Sequence, residues 1–301
     1  MKVEFNNISI SNATKHQPNF KGLYTPDKIK AFEKLVNQYK STNPYLSGLD
    51  IFRMRESIES FNAFYKGTKS LNVDKITNEI YRKYKIPCDF KGDKIIAGCS
   101  ALTANIFHKL KLVKPTSISK NRMDIDALGT CNPQNRSVGF AFDHNWENIQ
   151  EEAILAKLCN HSSTGHFLKT FIHEFMHSVH VNNLYKLGQK TNIVNNPYGQ
   201  RLKLIQQNPV LVSKALVDGA KPFTKGNAQN YIMQKVSNYG STKPVEMYAE
   251  IGTEMITSVL DKKTILPKRD PFVFKNFTED KFLMSVMDDF WNGNFEKYIN
   301  K

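Results

Sequence analysis

The stretch FIHEFMHSVH, residues 171–180, places three histidines and a glutamate within ten otherwise mostly apolar positions. Residues four apart on an α-helix lie on one face, about 5–6 Å apart at Cβ, so His173 and His177 point the same way. Two imidazoles so placed can share one metal ion. Glu174 is rotated by about 100° from His173. Its carboxylate then stands beside the ion rather than on it, where it can take a proton from an activated water. Leu168, Phe171, Ile172, Phe175 and Val179 fill the other faces, so such a helix can still pack in a core. His180 extends the same stripe three residues after His177 and reads as a neighbour of the site rather than a ligand.

His173-Glu174-x-x-His177 is the H-E-x-x-H arrangement of zinc peptidases. A catalytic zinc needs a third protein ligand and an open position for water. In the longer H-E-x-x-H-x-x-G-x-x-H pattern that ligand is a histidine ten residues after the first. Here position 183 is Asn and position 180, where Gly belongs, is His. That class is excluded. The alternative is a glutamate from a second helix, and SNYGSTKPVEMYAEIGTEMI (237–256) offers one. Glu246, Glu250 and Glu254 recur every four residues along one stripe, while Met247, Tyr248, Ile251, Met255 and Ile256 make much of the rest apolar. Carboxylates on a buried helix need a metal or partners. Of the three, Glu246 lies in the first turn after Pro244, where the helix dipole favours a negative group.

Taken together, FIHEFMH and the later SNYGSTKPVEMYAE resemble the zinc metallopeptidases of the glutamate-zincin group. Within it they are similar to lethal-factor-type and related phage- and toxin-associated peptidases, whose second motif reads Tyr, six residues, then Glu-x-x-Ala-Glu. In this sequence that is Tyr239, followed by Glu246-Met247-Tyr248-Ala249-Glu250. The resemblance implies one zinc per chain, with Glu246 as the third ligand and Glu250 orienting a ligand histidine. It also implies Tyr239 as donor to the developing oxyanion. The segment ALGTCNPQNRSVGFAFD is similar to the turn and edge strand that precede the active helix in that group. The likeness covers about residues 126–260.

The elements that must hold these residues can be read along the chain. A polar arm, 1–19, is followed by a mainly helical region, 20–113. Its helices are expected at 25–40, with Ile29, Phe32, Leu35 and Val36 as the stripe, then at 55–67, 73–86 and 95–112, with STNPYLSGLD (41–50) as a loop. SVGFAFD (137–143) alternates as a strand and is expected to offer its edge to an extended substrate. Helices then follow at 166–187, 209–218, 244–260 and 279–291, after a short one opened by WENIQEEAILAKLCN. The fold expected is α+β and mainly helical, with a zincin-like domain over 114–301 holding a small sheet and the active-site helix.

At 301 residues, with 40% hydrophobic and 23% charged, the composition is that of a globular chain with a sizeable core. The net charge of +14 is uneven. Residues 1–122 carry 22 Lys+Arg against 10 Asp+Glu, whereas 123–183 carry 3 against 7. The surplus is therefore lysine at helical spacing away from the histidines, without the basic–aromatic interleaving that stacks on bases, which argues against nucleic acid as the main partner. Cysteines at 88, 99, 131 and 159 form no CxxC pair, so neither a zinc ribbon nor a dithiol redox site is expected. Cys99 and Cys159, in apolar runs, are expected to be buried. No apolar run reaches the ~18 residues of a membrane span, and the first residues lack the apolar block of a secretory signal. A cytoplasmic protein, or one exported without a conventional signal peptide, is expected. The function expected is a zinc endopeptidase acting on protein or peptide substrates. A non-catalytic scaffold with a structural metal, or a metal hydrolase of a non-peptide bond, are the other readings; a general base at Glu174 has no use in the former.

Overall fold

The computed structural model describes residues 22–122, 127–190, 233–242 and 244–268. The polar arm at 1–19 and the helices expected at 209–218 and 279–291 lie outside these. Helices α1 (Pro26–Lys40), α2 (Gly48–Thr68), α3 (Val73–Tyr84) and α4 (Lys94–Lys109) come first. In α1 the extended Thr25 and the proline after it set the start, and Phe32, Leu35 and Val36 are buried. Ile29 stands 37% exposed, off the stripe expected for it. α2 begins seven residues before the expected Arg55. Ser47 Oγ accepts the Asp50 N–H at 3.1 Å, and Asp50 Oδ2 accepts the Ser47 N–H at 2.9 Å. This reciprocal capping box converts the end of the expected loop into a first helical turn. α3 ends where Lys85 turns left-handed, at φ 59°. The Asp93 carboxylate caps α4 by accepting from the Ile95 and Ile96 N–H groups.

The sheet has four short strands, β1 (Cys88–Asp89), β2 (Ile118–Asn121), β3 (Gly129–Cys131) and β4 (Val138–Ala141), in the order β1-β2-β4-β3. β1, β2 and β4 run parallel, with Cys88 opposite Ile118 and Ile118 opposite Val138, and β3 is antiparallel to β4 with Thr130 opposite Gly139. The strand in SVGFAFD is therefore interior, which corrects the expectation that it supplies an edge. Val138, Gly139 and Phe140 are all buried, the pattern of a strand covered on both faces. The outer strand on its side is β3. Asp93 also receives Lys120 of β2 at 2.8 Å, tying the start of α4 to the sheet.

After a 3₁₀ turn at Trp146–Asn148 come α5 (Ile149–Leu158), α6 (Lys169–Lys190) and, later in the chain, α7 (Pro244–Ser258). The structure is thus α+β, mainly helical, with a small mixed sheet. α6 lies at its centre, packed on α7, on α4 and on β3 and β4. Phe171 on α6 stacks on Phe140 of β4 with centroids 4.2 Å apart and meets Trp146 at 5.4 Å, while Phe175 meets Phe107 of α4 at 5.1 Å. Aromatic pairs at such spacing add to the apolar area they bury. One continuous hydrophobic cluster runs from Tyr24 to Ile265, so α1–α4 and the elements after residue 113 share a core. α6 and α7 approach closely: a Cβ at Gly252 would collide with the end of Met176. Cys99 is buried as expected, but Cys159, at the end of α5, is exposed. Among the described residues no helix is long and apolar enough to cross a membrane.

Phe171→Ala removes a ring wholly out of solvent between the sheet and α6 and is expected to destabilise by about 3–5 kcal/mol. Ser47→Ala removes an exposed cap and should cost about 1 kcal/mol. Urea unfolding of the two variants measures both; equal losses would contradict the placement of Phe171 at the centre of the core.

Candidate metal centre

His173 and His177 project from adjacent turns of α6, with ring planes at 84° and centroids 4.7 Å apart. Their Nε2 atoms lie 3.1 Å from each other. Glu246, in the first turn of α7, brings Oε2 to 3.1 Å from His173 Nε2 and 3.4 Å from His177 Nε2. Three atoms of ligand type thus form a nearly equilateral triangle. A tetrahedral ion with bonds of about 2.0–2.1 Å has ligand-to-ligand edges of about 3.3–3.4 Å, so this triangle has the dimensions of one face of such a polyhedron. Among the described residues these three are the group of histidines, cysteines and acids that converge closely enough to hold an ion. The donor set, two imidazoles and one carboxylate, suits zinc.

Glu250, one turn further along α7, does not join the triangle. Its Oε1 is 3.0 Å from His173 Nδ1, while Oε2 accepts the Ser163 N–H at 2.7 Å and the Ser237 hydroxyl at 3.0 Å. Accepting the Nδ1 proton fixes the tautomer that leaves the Nε2 lone pair for an ion. Glu254, the third glutamate of the stripe, is directed elsewhere and faces Arg53 at 3.7 Å.

Glu174 is 7% exposed and rests against Gly129 at the start of β3. A Cβ on that glycine would lie 2.7 Å from Glu174 Cγ and 3.0 Å from Oε1. Only a residue without a side chain leaves the carboxylate its place. Burial raises the Glu174 pKa, and the nearby His177 and His173 offset this only in part. Tyr239 sits across the site, its ring 5.7 Å from that of His173 and 5.4 Å from that of His161. Burial, and then the charges of Glu246 and Glu174, raise its pKa. The segment carrying it is pinned by the Asn238 and Tyr239 N–H groups, which donate to Asn160 and His161 carbonyls at 2.8 and 3.2 Å.

In the metal-free chain burial disfavours a charged His173, but its hydrogen bonds to Glu246 and Glu250 outweigh this and raise its pKa to about 10. Burial likewise opposes ionisation of Glu250, and His173 pulls its pKa down to about 2. Glu246 is lowered further against its own burial by hydrogen bonds to both histidines.

The structure therefore brings His173, His177, Glu246, Glu174, Glu250 and Tyr239 to one place. His180 is apart, stacked on Tyr248 with centroids 4.4 Å apart. Ser163, Ser237 and Gly129 were not singled out from sequence. Ser163 lies in the loop ahead of α6, and Gly129 opens β3. Comparison with known proteins returns no match, neither a family model nor a curated protein nor a solved structure.

Two measurements test this geometry. Gly129→Ala should displace Glu174 and lower any hydrolytic turnover at least about tenfold while the metal content stays unchanged; loss of metal instead would place Glu174 among the ligands. In chelator-treated protein, the stability contributed by charged His173 is complete below its unfolded pKa of about 6.5 and is lost as pH rises through about 10. The urea midpoint should therefore fall over that window, and this part of the fall should vanish in His173→Ala; an unchanged slope would show that His173 is not held by the two carboxylates.

Proposed function

We propose that the chain is a zinc-dependent endopeptidase of the glutamate-zincin kind, cleaving protein or peptide substrates, with His173, His177 and Glu246 holding one zinc. The observation that carries this reading is the triangle of His173 Nε2, His177 Nε2 and Glu246 Oε2, with edges of 3.1, 3.1 and 3.4 Å and a base beside it that is not part of it. Zinc bound there would supply Lewis-acid polarisation of a carbonyl and a lowered pKa for water at its fourth position.

The remaining chemistry belongs to the chain. Glu174 is placed to accept a proton from water at Oε1 or Oε2 and to return it to the leaving amine. A raised pKa makes it a stronger base than a solvated carboxylate and a competent acid afterwards. Tyr239, held protonated well above neutral pH, can donate its phenolic hydrogen to the scissile oxygen as negative charge grows there. Glu250 keeps the His173 ring oriented through Nδ1. Retention of the base is what favours an enzyme over a scaffold, because a purely structural metal has no need of it.

Elemental analysis of purified protein, coupled to cleavage of a peptide library, tests the reading. About one zinc per chain is expected, lost when His173 and His177 are both replaced by Ala. Glu174→Gln should abolish cleavage with zinc content near wild type, and Glu246→Gln should lower both. Glu250→Ala should reduce zinc affinity by the ~10–100-fold typical of losing a supporting hydrogen bond. Equal metal loss in Glu174→Gln and Glu246→Gln would overturn the division of roles, and zinc without cleavage of any peptide would overturn the peptidase reading.

A further inference from the structure

The three parallel strands of the sheet start side by side, with Cys88 opposite Ile118 and Ile118 opposite Val138. The segments that feed them therefore meet along one edge of the sheet. The Ile118 N–H donates to the Pro87 carbonyl at 3.0 Å, and the Thr116 N–H to the Arg136 carbonyl at 3.2 Å, which ties the three together. The ends of α3 and α4 arrive at the same place. Tyr84 and His108 lie with ring centroids 5.4 Å apart, and the Tyr84 hydroxyl donates to Asn105 Oδ1 at 3.0 Å. Residues 80–88, 101–117 and 132–137 make up this edge and the helix ends beside it. They carry 3, 3 and 1 Lys+Arg and no Asp or Glu.

Arg82, Lys83, Lys85, Lys109 and Lys111 are exposed and Lys114 is half-buried. Among the described residues none of the six belongs to an ion pair. Cations in the last turn of a helix offset its dipole, which accounts for Arg82, Lys83 and Lys109. It does not account for Lys114, in the loop before β2. Lys85 and Lys111 each stand in left-handed backbone, at φ 59° and 55°, where glycine is the cheaper residue. Leu110, Leu112 and Val113 sit between these lysines and are only half-buried, and Tyr81 is 56% exposed. Lys83 Nζ stands 5.1 Å from the Tyr84 ring and Lys85 Nζ 5.9 Å from the Tyr81 ring. Both rings are thus engaged within the chain.

Like charges gathered without a carboxylate among them repel one another, and an anionic partner relieves that repulsion. Five of the six are lysines, which act as point charges rather than as the bidentate forks that read phosphates and bases. A nucleic acid would also want free aromatic faces for stacking, and here the rings already hold cations. A layer of anionic headgroups needs neither. Leucine and tyrosine at the level of the lysines suit the boundary between headgroups and acyl chains. We propose that this edge of the molecule docks the protein on the surface of an anionic lipid bilayer, with Arg82, Lys83, Lys85, Lys109, Lys111 and Lys114 against the headgroups. The contact is peripheral, and no helix enters the hydrocarbon. It is independent of the zinc reading, since the metal triangle uses none of these residues.

Flotation of the full chain with vesicles tests it, using phosphatidylcholine alone and phosphatidylcholine with about one-third phosphatidylserine. Binding is expected to the mixed vesicles only, at about 0.1 M salt, and is expected to be lost at about 0.5 M. Lys83→Gln/Lys109→Gln should weaken it at least about tenfold, since each cation near such a surface contributes about fivefold. Lys30→Gln/Lys34→Gln removes the same charge from α1 and should leave binding unchanged. All four positions are exposed, so both variants should fold, which their circular dichroism checks. The chain and both variants are also titrated with a labelled single-stranded RNA at the same salt. Absence of binding to the mixed vesicles, equal binding to phosphatidylcholine alone, or equal loss in the two double variants would overturn the proposal. So would RNA bound more tightly than lipid and released by Lys83→Gln/Lys109→Gln, which would make nucleic acid the partner of this face.

Discussion

Glu250 carries a full negative charge at a position 4% exposed, and the arrangement of the site follows from how that charge is satisfied. An unpaired carboxylate there would cost several kcal/mol. Donors reach it from three separate segments: His173 from α6, Ser163 from the loop before α6, and Ser237 from the turn before α7. The Ser163 hydroxyl adds a bond to the Glu250 carbonyl at 2.8 Å. Each segment also positions a second feature. α6 carries His177 and Glu174, the turn carries Tyr239, and Ser163 belongs to the wall of a cavity beside α2. One buried anion thus sets the mutual placement of nearly every group discussed above. Gly240 lets the turn come close, since a Cβ there would lie 3.1 Å from Ser237 Oγ and 3.4 Å from Glu250 Cβ.

The electrostatics of the region are consistent with a cation in its midst. Glu174, Glu246 and Glu250 converge on two imidazoles and on Lys169, whose burial lowers its pKa while Glu250, Glu152 and Glu174 work to hold its charge. This agrees with the charge distribution along the chain, where 123–183 is the acidic stretch in an otherwise basic sequence. The lysine surplus sits on other surfaces, as on α3, whose last turn carries Arg82 and Lys83.

Much of this was legible because the signals are local. The i, i+4 spacing of His173 and His177, the proline ahead of Glu246 and the apolar stripes of α1, α4 and α6 depend on neighbours a few residues away. Glu246 was preferred over Glu250 for the same reason, its position in the first turn after Pro244. What escaped were pairings across the chain. β2 reads as ISKN, polar and four residues long, and nothing local reveals that it lies beside Val138–Ala141 and turns that strand into an interior one. Gly129 matters only because Glu174 arrives against it, and Ser163 and Ser237 only because Glu250 does. The early start of α2 is a different case, since Ser47-x-x-Asp50 is a local signature that the neighbouring Asn-Pro and Ser-Gly pairs obscured.

The packing of α6 on α7 joins parts of the chain that are distant in sequence. Holding His177 beside Glu246 closes a loop of about 70 residues, for which the lost chain entropy is about 4 kcal/mol before any contact returns it. α1 and α2 depend on distant chain as well, since both pack on α5 and Ser60 Oγ donates to the Lys262 carbonyl at 2.8 Å, 202 residues away. The convergence of the histidines and the glutamate is therefore one of several long closures that a single shared core rewards together, and such non-local pairing slows folding.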